Sequence, residues 1–150
     1  MPIRLMQESD LDAVMITENA AYEFPCPASI MASNQKRYYC IVFESLAENN
    51  KPAEILGHAI LTTAADEASV VNIAVSPKAQ RQRIGYQLME NLLAYAESKN
   101  CIEVFLEVRE SNRPAFTMYH LFGFNEVGLR HNYYPSNQGR EDAILLACYL

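Results

Sequence analysis

The sequence has no long apolar run. Nothing in it approaches the roughly 18 consecutive apolar residues a spanning helix needs, so no membrane partner is expected. Its opening residues show neither a basic start followed by an apolar stretch nor a small-residue cleavage site, so no signal peptide is expected. The four cysteines, Cys26, Cys40, Cys101 and Cys148, form no C-x-x-C pair. Together with His58, His120 and His131 they match no zinc-ligand spacing. Reduced, structural thiols in a cytoplasmic protein without a metal are the expectation, and each histidine is read as structural. With only 5 Gly and 7 Pro in 150 residues, collagen-like and low-complexity classes are excluded. Neither a repeat nor a linker interrupts the chain, which predicts one domain over residues 1–150. There is no excess of positive charge either. The net charge of −6 repels polyanions and argues against direct nucleic-acid binding.

That charge is unevenly placed. Residues 1–71 hold four basic and ten acidic side chains and so carry the whole deficit, whereas residues 72–150 hold eight of each. Within the neutral half, Lys78, Arg81 and Arg83 fall within six residues with no acid between them.

Hydrophobic periodicity gives the element order. PIRLM alternates like a short strand, and a helix follows from Leu11 to about Tyr22 with Ser9 as its expected cap. FPCP at 24–27 breaks that helix, a second is predicted over Ser29–Gln35, and YYCIVFE at 38–44 reads as a strand. EILGHAILTTA and ASVVNIAV complete an antiparallel meander of three. Ile84, Leu88, Leu92 and Ala96 recur every four residues and mark a helix ending near Lys99. CIEVFLEV at 101–108 reads as a buried strand, and a helix capped by Ser111 runs to Leu121. Strands near 124–132 and 142–149 close the chain, with NYYPSNQGRED as the turn between them. The predicted class is α+β, with a mixed, mostly antiparallel sheet and flanking helices in three layers.

The basic turn at 76–83 runs from a strand straight into a long helix. The dipole and N–H groups of a helix start make an anion site, and the arginines add charge there, so a phosphate-bearing ligand is expected. Neither G-x-x-x-x-G-K-[ST] nor G-x-G-x-x-G is present, which excludes a Walker loop and a dinucleotide turn.

A strand ending I-A-V precedes Q-x-x-x-x-G at Gln80–Gly85. Then come L-E-V at 106–108 and S-N-x-x-A-x-x-x-Y-x-x-x-G-F at 111–124. Together these resemble the GCN5-related N-acetyltransferase (GNAT) superfamily, whose element order agrees with that derived above. EFP at 23–25, ASNQ at 32–35, FLEVRESN at 105–112, LFGFNEV at 121–127, NYYP at 132–135 and GREDA at 139–143 are closer still to the ribosomal-protein-alanine N-acetyltransferases.

The resemblance implies a GNAT fold with splayed parallel central strands, ending here at Val75 and Val108, and acetyl-coenzyme A as co-substrate. It implies that the main chain of Ile73, Ala74 and Val75 binds the acetyl and pantetheine arm. The backbone of Arg81, Gln82, Arg83, Ile84, Gly85 and Tyr86 is expected to hold the pyrophosphate, and Asn112 to contact the coenzyme. The family's Q-x-x-G-x-G has Arg83 in place of its first glycine. By the same match Glu107 is the general base and Tyr119 the acid that protonates the departing sulfur, and Tyr133 and Tyr134 are candidates for gripping the peptide. Read without the family, Glu107 is equally a strand-end salt-bridge partner, Tyr119 a core aromatic, and Tyr133 and Tyr134 turn aromatics. No metal is called for.

The implied activity is direct transfer of acetyl to the N-terminal alanine of a basic small-subunit ribosomal protein in a ternary complex, by a monomer or weak dimer. An α-amino group, with a pKa near ~7.8 against ~10.4 for lysine, needs only a modest base. Two alternatives stay open: acetylation of small amines or a broader set of N-termini, and a non-catalytic acyl-coenzyme A-binding module. The acidic first half is expected to attract an arginine-rich peptide through Glu18, Glu23 and Glu44.

Overall fold

The computed structural model describes residues 2–150. Its elements are β1 (Ile3–Leu5), α1 (Leu11–Ala21), α2 (Ala28–Arg37), β2 (Tyr39–Glu44), β3 (Ile55–Ala64), β4 (Glu67–Val75), α3 (Ile84–Ser98), β5 (Glu103–Arg109), α4 (Arg113–Leu121), β6 (Asn125–Ser136) and β7 (Gly139–Tyr149). The strands form a seven-stranded sheet in the order β1-β2-β3-β4-β5-β7-β6. The order of elements agrees with the sequence reading. β4 and β5 are parallel, pairing Glu67–Val70 with Glu103–Leu106, while β1–β2, β2–β3, β5–β7 and β6–β7 are antiparallel.

The chain divides into two compact units. The first comprises residues up to Thr62 together with Val71–Ala94, and the second Thr63–Val70 with Tyr95–Leu150. In the first unit β2 is buried on both faces, because alternate residues serve different helices. Cys40 and Val42 join Ile60 of β3, Val14 of α1 and Met31 of α2 in one apolar cluster. Tyr39 points to the other face, where its hydroxyl donates to Asn91 Oδ1 of α3 at 2.8 Å. α3 comes close to β3 at Gly57, where a Cβ would lie 3.1 Å from both Ile84 Cγ2 and Leu88 Cδ1. Glycine is what permits that approach.

In the second unit Val104, Leu106 and Val108 of β5 are buried with Leu146 and Cys148 of β7 and Phe116, Tyr119 and Phe124. The Tyr119 and Phe124 rings pack 5.9 Å apart.

Three local expectations change. A 3-10 turn at Glu8–Asp10 precedes α1, so Asp10 rather than Ser9 occupies its cap position. The Asp10 carboxylate serves the Gln7 N–H and Arg4 instead of the helix. Asn112 rather than Ser111 is the N-cap of α4, since the Ser111 N–H is held by Glu141. Residues 132–142 are not a long turn: β6 and β7 run through them and leave only Asn137 and Gln138 between. Pro135 is tolerated because β6 is an edge strand and a proline there removes no interior ladder bond.

Candidate functional site

Within the first unit, β4 leads into the basic turn. The Ser76 N–H donates to the Leu56 carbonyl at 2.8 Å, and the Ala74 carbonyl lies against Gly57, so these residues turn their peptide groups to β3. Ile73 and Val75, one residue out of phase, turn theirs away. Of the three residues expected to offer main-chain groups to a ligand, Ala74 therefore faces the sheet instead. The Tyr22 hydroxyl donates to the Ile73 carbonyl, and Gln80 Nε2 to the Val75 carbonyl at 3.3 Å.

Arg81, Gln82 and Arg83 are exposed and lead into α3 at Ile84, Gly85 and Tyr86. Gln87 N–H makes the first helical bond to the Arg83 carbonyl at 3.0 Å, so the preceding N–H groups are directed out of the helix start. The Arg83 guanidinium lies 4.5 Å from the Tyr86 ring centre. Arg81 and Arg83 both have left-handed backbones, with φ of +68° and +58°. This explains why the family pattern places glycine at the Arg83 position: glycine adopts that conformation without a Cβ clash. Arg83→Gly is expected to raise stability by about 0.5–1 kcal/mol, the relief of left-handed strain less glycine's extra unfolded-state entropy. The shift of the urea midpoint measures it. Lys78 does not belong to this cation group, because its ammonium is paired with Glu54.

Glu18 is the centre of a buried network on the other face of the same unit. One oxygen accepts from His58 Nε2 at 2.9 Å and Asn72 Nδ2 at 3.1 Å, the other from the Cys26 N–H at 3.0 Å. Burial alone would raise its pKa, but those hydrogen bonds outweigh it and hold the carboxyl below its ordinary value. His58 Nδ1 and Asn72 Oδ1 are buried without a hydrogen-bond partner. Glu18 is only 2% exposed, so it is no recognition site for a cationic peptide. Glu44 is likewise engaged, by Arg4 at 3.1 Å, which leaves Glu23 as the exposed member of the expected acidic trio. The sequence showed the charges but not which of them fold inward.

The second unit gathers Glu107, Tyr119, Tyr133 and Tyr134. Glu107 lies on the face of β5 opposite Val104, Leu106 and Val108, with its side chain 29% exposed. Its carboxylate accepts from Arg130 Nε at 2.9 Å. The salt-bridge reading is thus realised, but a solvent-accessible pair of this kind contributes at most about 1 kcal/mol. Tyr133 is pushed up by the Glu107 charge first and by burial second. Burial, with the Glu107 charge behind it, pushes Tyr134 up to about 12. Burial, with Tyr134 beside it, does the same to Tyr119. The Tyr119 phenol therefore keeps its proton through the neutral range. A carboxylate and a protonated buried phenol in one unit are the two halves of acid–base chemistry. Asn112 is half-buried at the start of α4. Tyr133 and Tyr134 sit on β6 rather than on a turn, their rings 4.9 Å apart and edge-on. Sequence reading passed over Arg109 and Arg130, which contact this group; the GREDA signature that accompanies NYYP was the available signal. Among the described residues no three His, Cys, Asp or Glu side chains are grouped to hold a metal.

The acetyltransferase (GNAT) family matches residues 8–124 and so runs through both units. The chain is 41% identical to the [ribosomal protein bS18]-alanine N-acetyltransferase of Escherichia coli K12, over 97% of this chain and 95% of that one. It is 38% identical to the protein of the same description from Haemophilus influenzae, over 99% and 98%. The crystal structure of the Escherichia coli ribosomal-protein-S18-alanine N-acetyltransferase superposes with a TM-score of 0.86 at 39% identity, covering 98% of this chain and 92% of that chain.

Proposed function

Since the chain belongs to the acetyltransferase (GNAT) family, we propose that it acts as one domain in the cytoplasm and transfers acetyl from acetyl-coenzyme A to the N-terminal alanine of ribosomal protein bS18. The observation that carries this reading is the end-to-end match, 41% and 38% identical, to two proteins with that activity in their names.

In this reading the coenzyme is a co-substrate that supplies the acetyl thioester, and the first unit holds it. The donor set fits a polyphosphate: Arg81 and Arg83 beside the electropositive start of α3, with the backbone of Gln82, Ile84, Gly85 and Tyr86 completing it. Ile73 and Val75 offer the pantetheine arm their outward peptide groups. Arg83 supplies charge where a glycine would supply only access, so Arg83→Gly should weaken coenzyme binding in calorimetry even as it stabilises the fold.

The second unit supplies the chemistry. Glu107 takes the proton lost as the α-amino nitrogen attacks the thioester carbonyl, through a water. Tyr119 gives its proton to the sulfur as the carbon–sulfur bond breaks. Tyr133 and Tyr134 grip the peptide.

Mass spectrometry of peptides incubated with the protein and acetyl-coenzyme A tests the proposal. A short arginine-rich peptide with a free N-terminal alanine is expected to gain one acetyl group, and its N-blocked form, a lysine peptide and a polyamine none. Turnover of the polyamine with none of the alanine peptide would reassign the substrate. No turnover at all would leave a coenzyme-binding module.

A further inference from the structure

Three residues separate NYYP from GREDA in the sequence, and in the second unit the two motifs are bonded to each other. Asn132 has a left-handed backbone, φ +50°, at a register break in the β6–β7 ladder. Such a conformation in a non-glycine residue persists where its surroundings hold it. Here Asp142 accepts the Asn132 N–H at 2.8 Å and pairs with His131 at 3.0 Å. Arg140 donates to the carbonyls of Asn132 and Tyr133, both at 3.1 Å.

The remaining tyrosine, Tyr134, is held from β5. Arg109 Nη1 donates to the Pro135 carbonyl at 2.7 Å and to Glu141 Oε1 at 2.8 Å, and its guanidinium lies 4.5 Å from the Tyr134 ring centre. The other Glu141 oxygen accepts the Ser111 N–H at 3.2 Å, one residue before the Asn112 cap of α4. Arg109 keeps the Glu141 carboxyl below its ordinary value. One ion pair thus joins the end of β5, the start of α4 and the strand that carries Tyr134. Arg109, Glu107 and Arg130 also share one face of the sheet, since Arg109 and Arg130 both lie opposite Ala143 and Glu107 opposite Leu145.

We propose that Arg109, locked by Glu141, is a positioning residue that fixes the Tyr134 ring beside Glu107 and Tyr119, and so sets recognition of the peptide rather than of the coenzyme. This rests on the reading above that Tyr134 grips the peptide. A planar guanidinium can stack on a ring while bonding a carbonyl and a carboxylate, which an ammonium cannot do.

Steady-state kinetics on the full chain test this. The wild-type protein is assayed first with the alanine peptide: if it makes no product, the function proposed above fails independently of Arg109. With an active wild type, Arg109→Met is expected to raise the peptide KM about tenfold or more, as loss of preorganised contact geometry does. Coenzyme affinity by calorimetry should stay within about twofold, and Arg109→Lys should recover only part of the loss. In a Tyr134→Ala background the Arg109 change should add little, because the two act as one unit. Glu141→Gln, which retains an oxygen for Arg109 but loses the acceptor for Ser111, should shift the peptide KM in the same direction and serves if Arg109→Met does not fold. An unchanged peptide KM, a parallel fall in coenzyme affinity, or fully additive effects with Tyr134→Ala would each overturn the assignment.

Discussion

Tyr119→Phe is expected to lower kcat roughly 10²–10³-fold while leaving the fold and the peptide KM nearly unchanged, the scale lost with a positioned general acid. The substitution removes one oxygen from a side chain that is 6% exposed and packs on Phe124, so the ring still fills its place. What disappears is a proton that burial and Tyr134 hold to about pH 12. Glu107→Gln should cost a comparable factor, and the double variant little more, since a base and an acid serving one transfer are not additive. The pH dependence follows from the same groups. At low peptide concentration the rate should rise with pH as the substrate's α-amino group, near ~7.8, loses its proton. It should not fall again through loss of the Tyr119 proton until close to pH 12. Stopped assays across pH 6–10 check the rise. A Tyr119→Phe protein with wild-type kcat would remove the phenol from the mechanism.

Glu18→Ala is expected to destabilise the protein by about 3–5 kcal/mol, the range for removing one partner of a buried charged network. Three donors, from His58, Asn72 and Cys26, lose their acceptor at once. Against a typical total of about 5–15 kcal/mol this is a large fraction. The carboxyl is held below its ordinary value in the fold, so its contribution is complete above its unfolded pKa near ~4.3. That contribution is lost as the pH falls through the lower folded value. The stability gap between wild type and Glu18→Gln should therefore be widest at neutral pH and narrow below about pH 4. Urea unfolding at pH 7 and pH 3 reads both gaps; a gap independent of pH would show that the network is not held by a charge. Because Glu18 also fixes Cys26, at the end of the segment that begins with Tyr22, loosening it should disturb the Tyr22 bond to the Ile73 carbonyl as well.

Much of the architecture was legible because burial imposes a period. α3 repeats its apolar residues every four positions, and β5 alternates Val104, Leu106 and Val108 inward against Glu103, Phe105, Glu107 and Arg109 outward. Residues 132–142 were not legible, since their proline and polar residues are local turn signals. What makes them strands is Arg109, 26 residues from Pro135, and Arg140 and Asp142 across the hairpin. Propensity carries no information about such distant partners. The caps of α1 and α4 moved by one residue for the same reason: Asp10 and the Ser111 N–H are claimed by Arg4 and Glu141.

By itself the sequence determined the order of elements and the family pattern, because periodicity and motif spacing are local properties of the chain; Glu107 and Tyr119 are proposed as the chemical groups through that family resemblance. Only the tertiary structure decided what each charge is for. Glu18 turns inward to three donors and Lys78 is taken by Glu54, while Arg109 is bound to Glu141 and to the strand of the tyrosines. A formal charge is fixed by composition, but its burial and its partner are set by residues far away in sequence, and those decide whether it stabilises the fold, binds a ligand or holds another side chain in place.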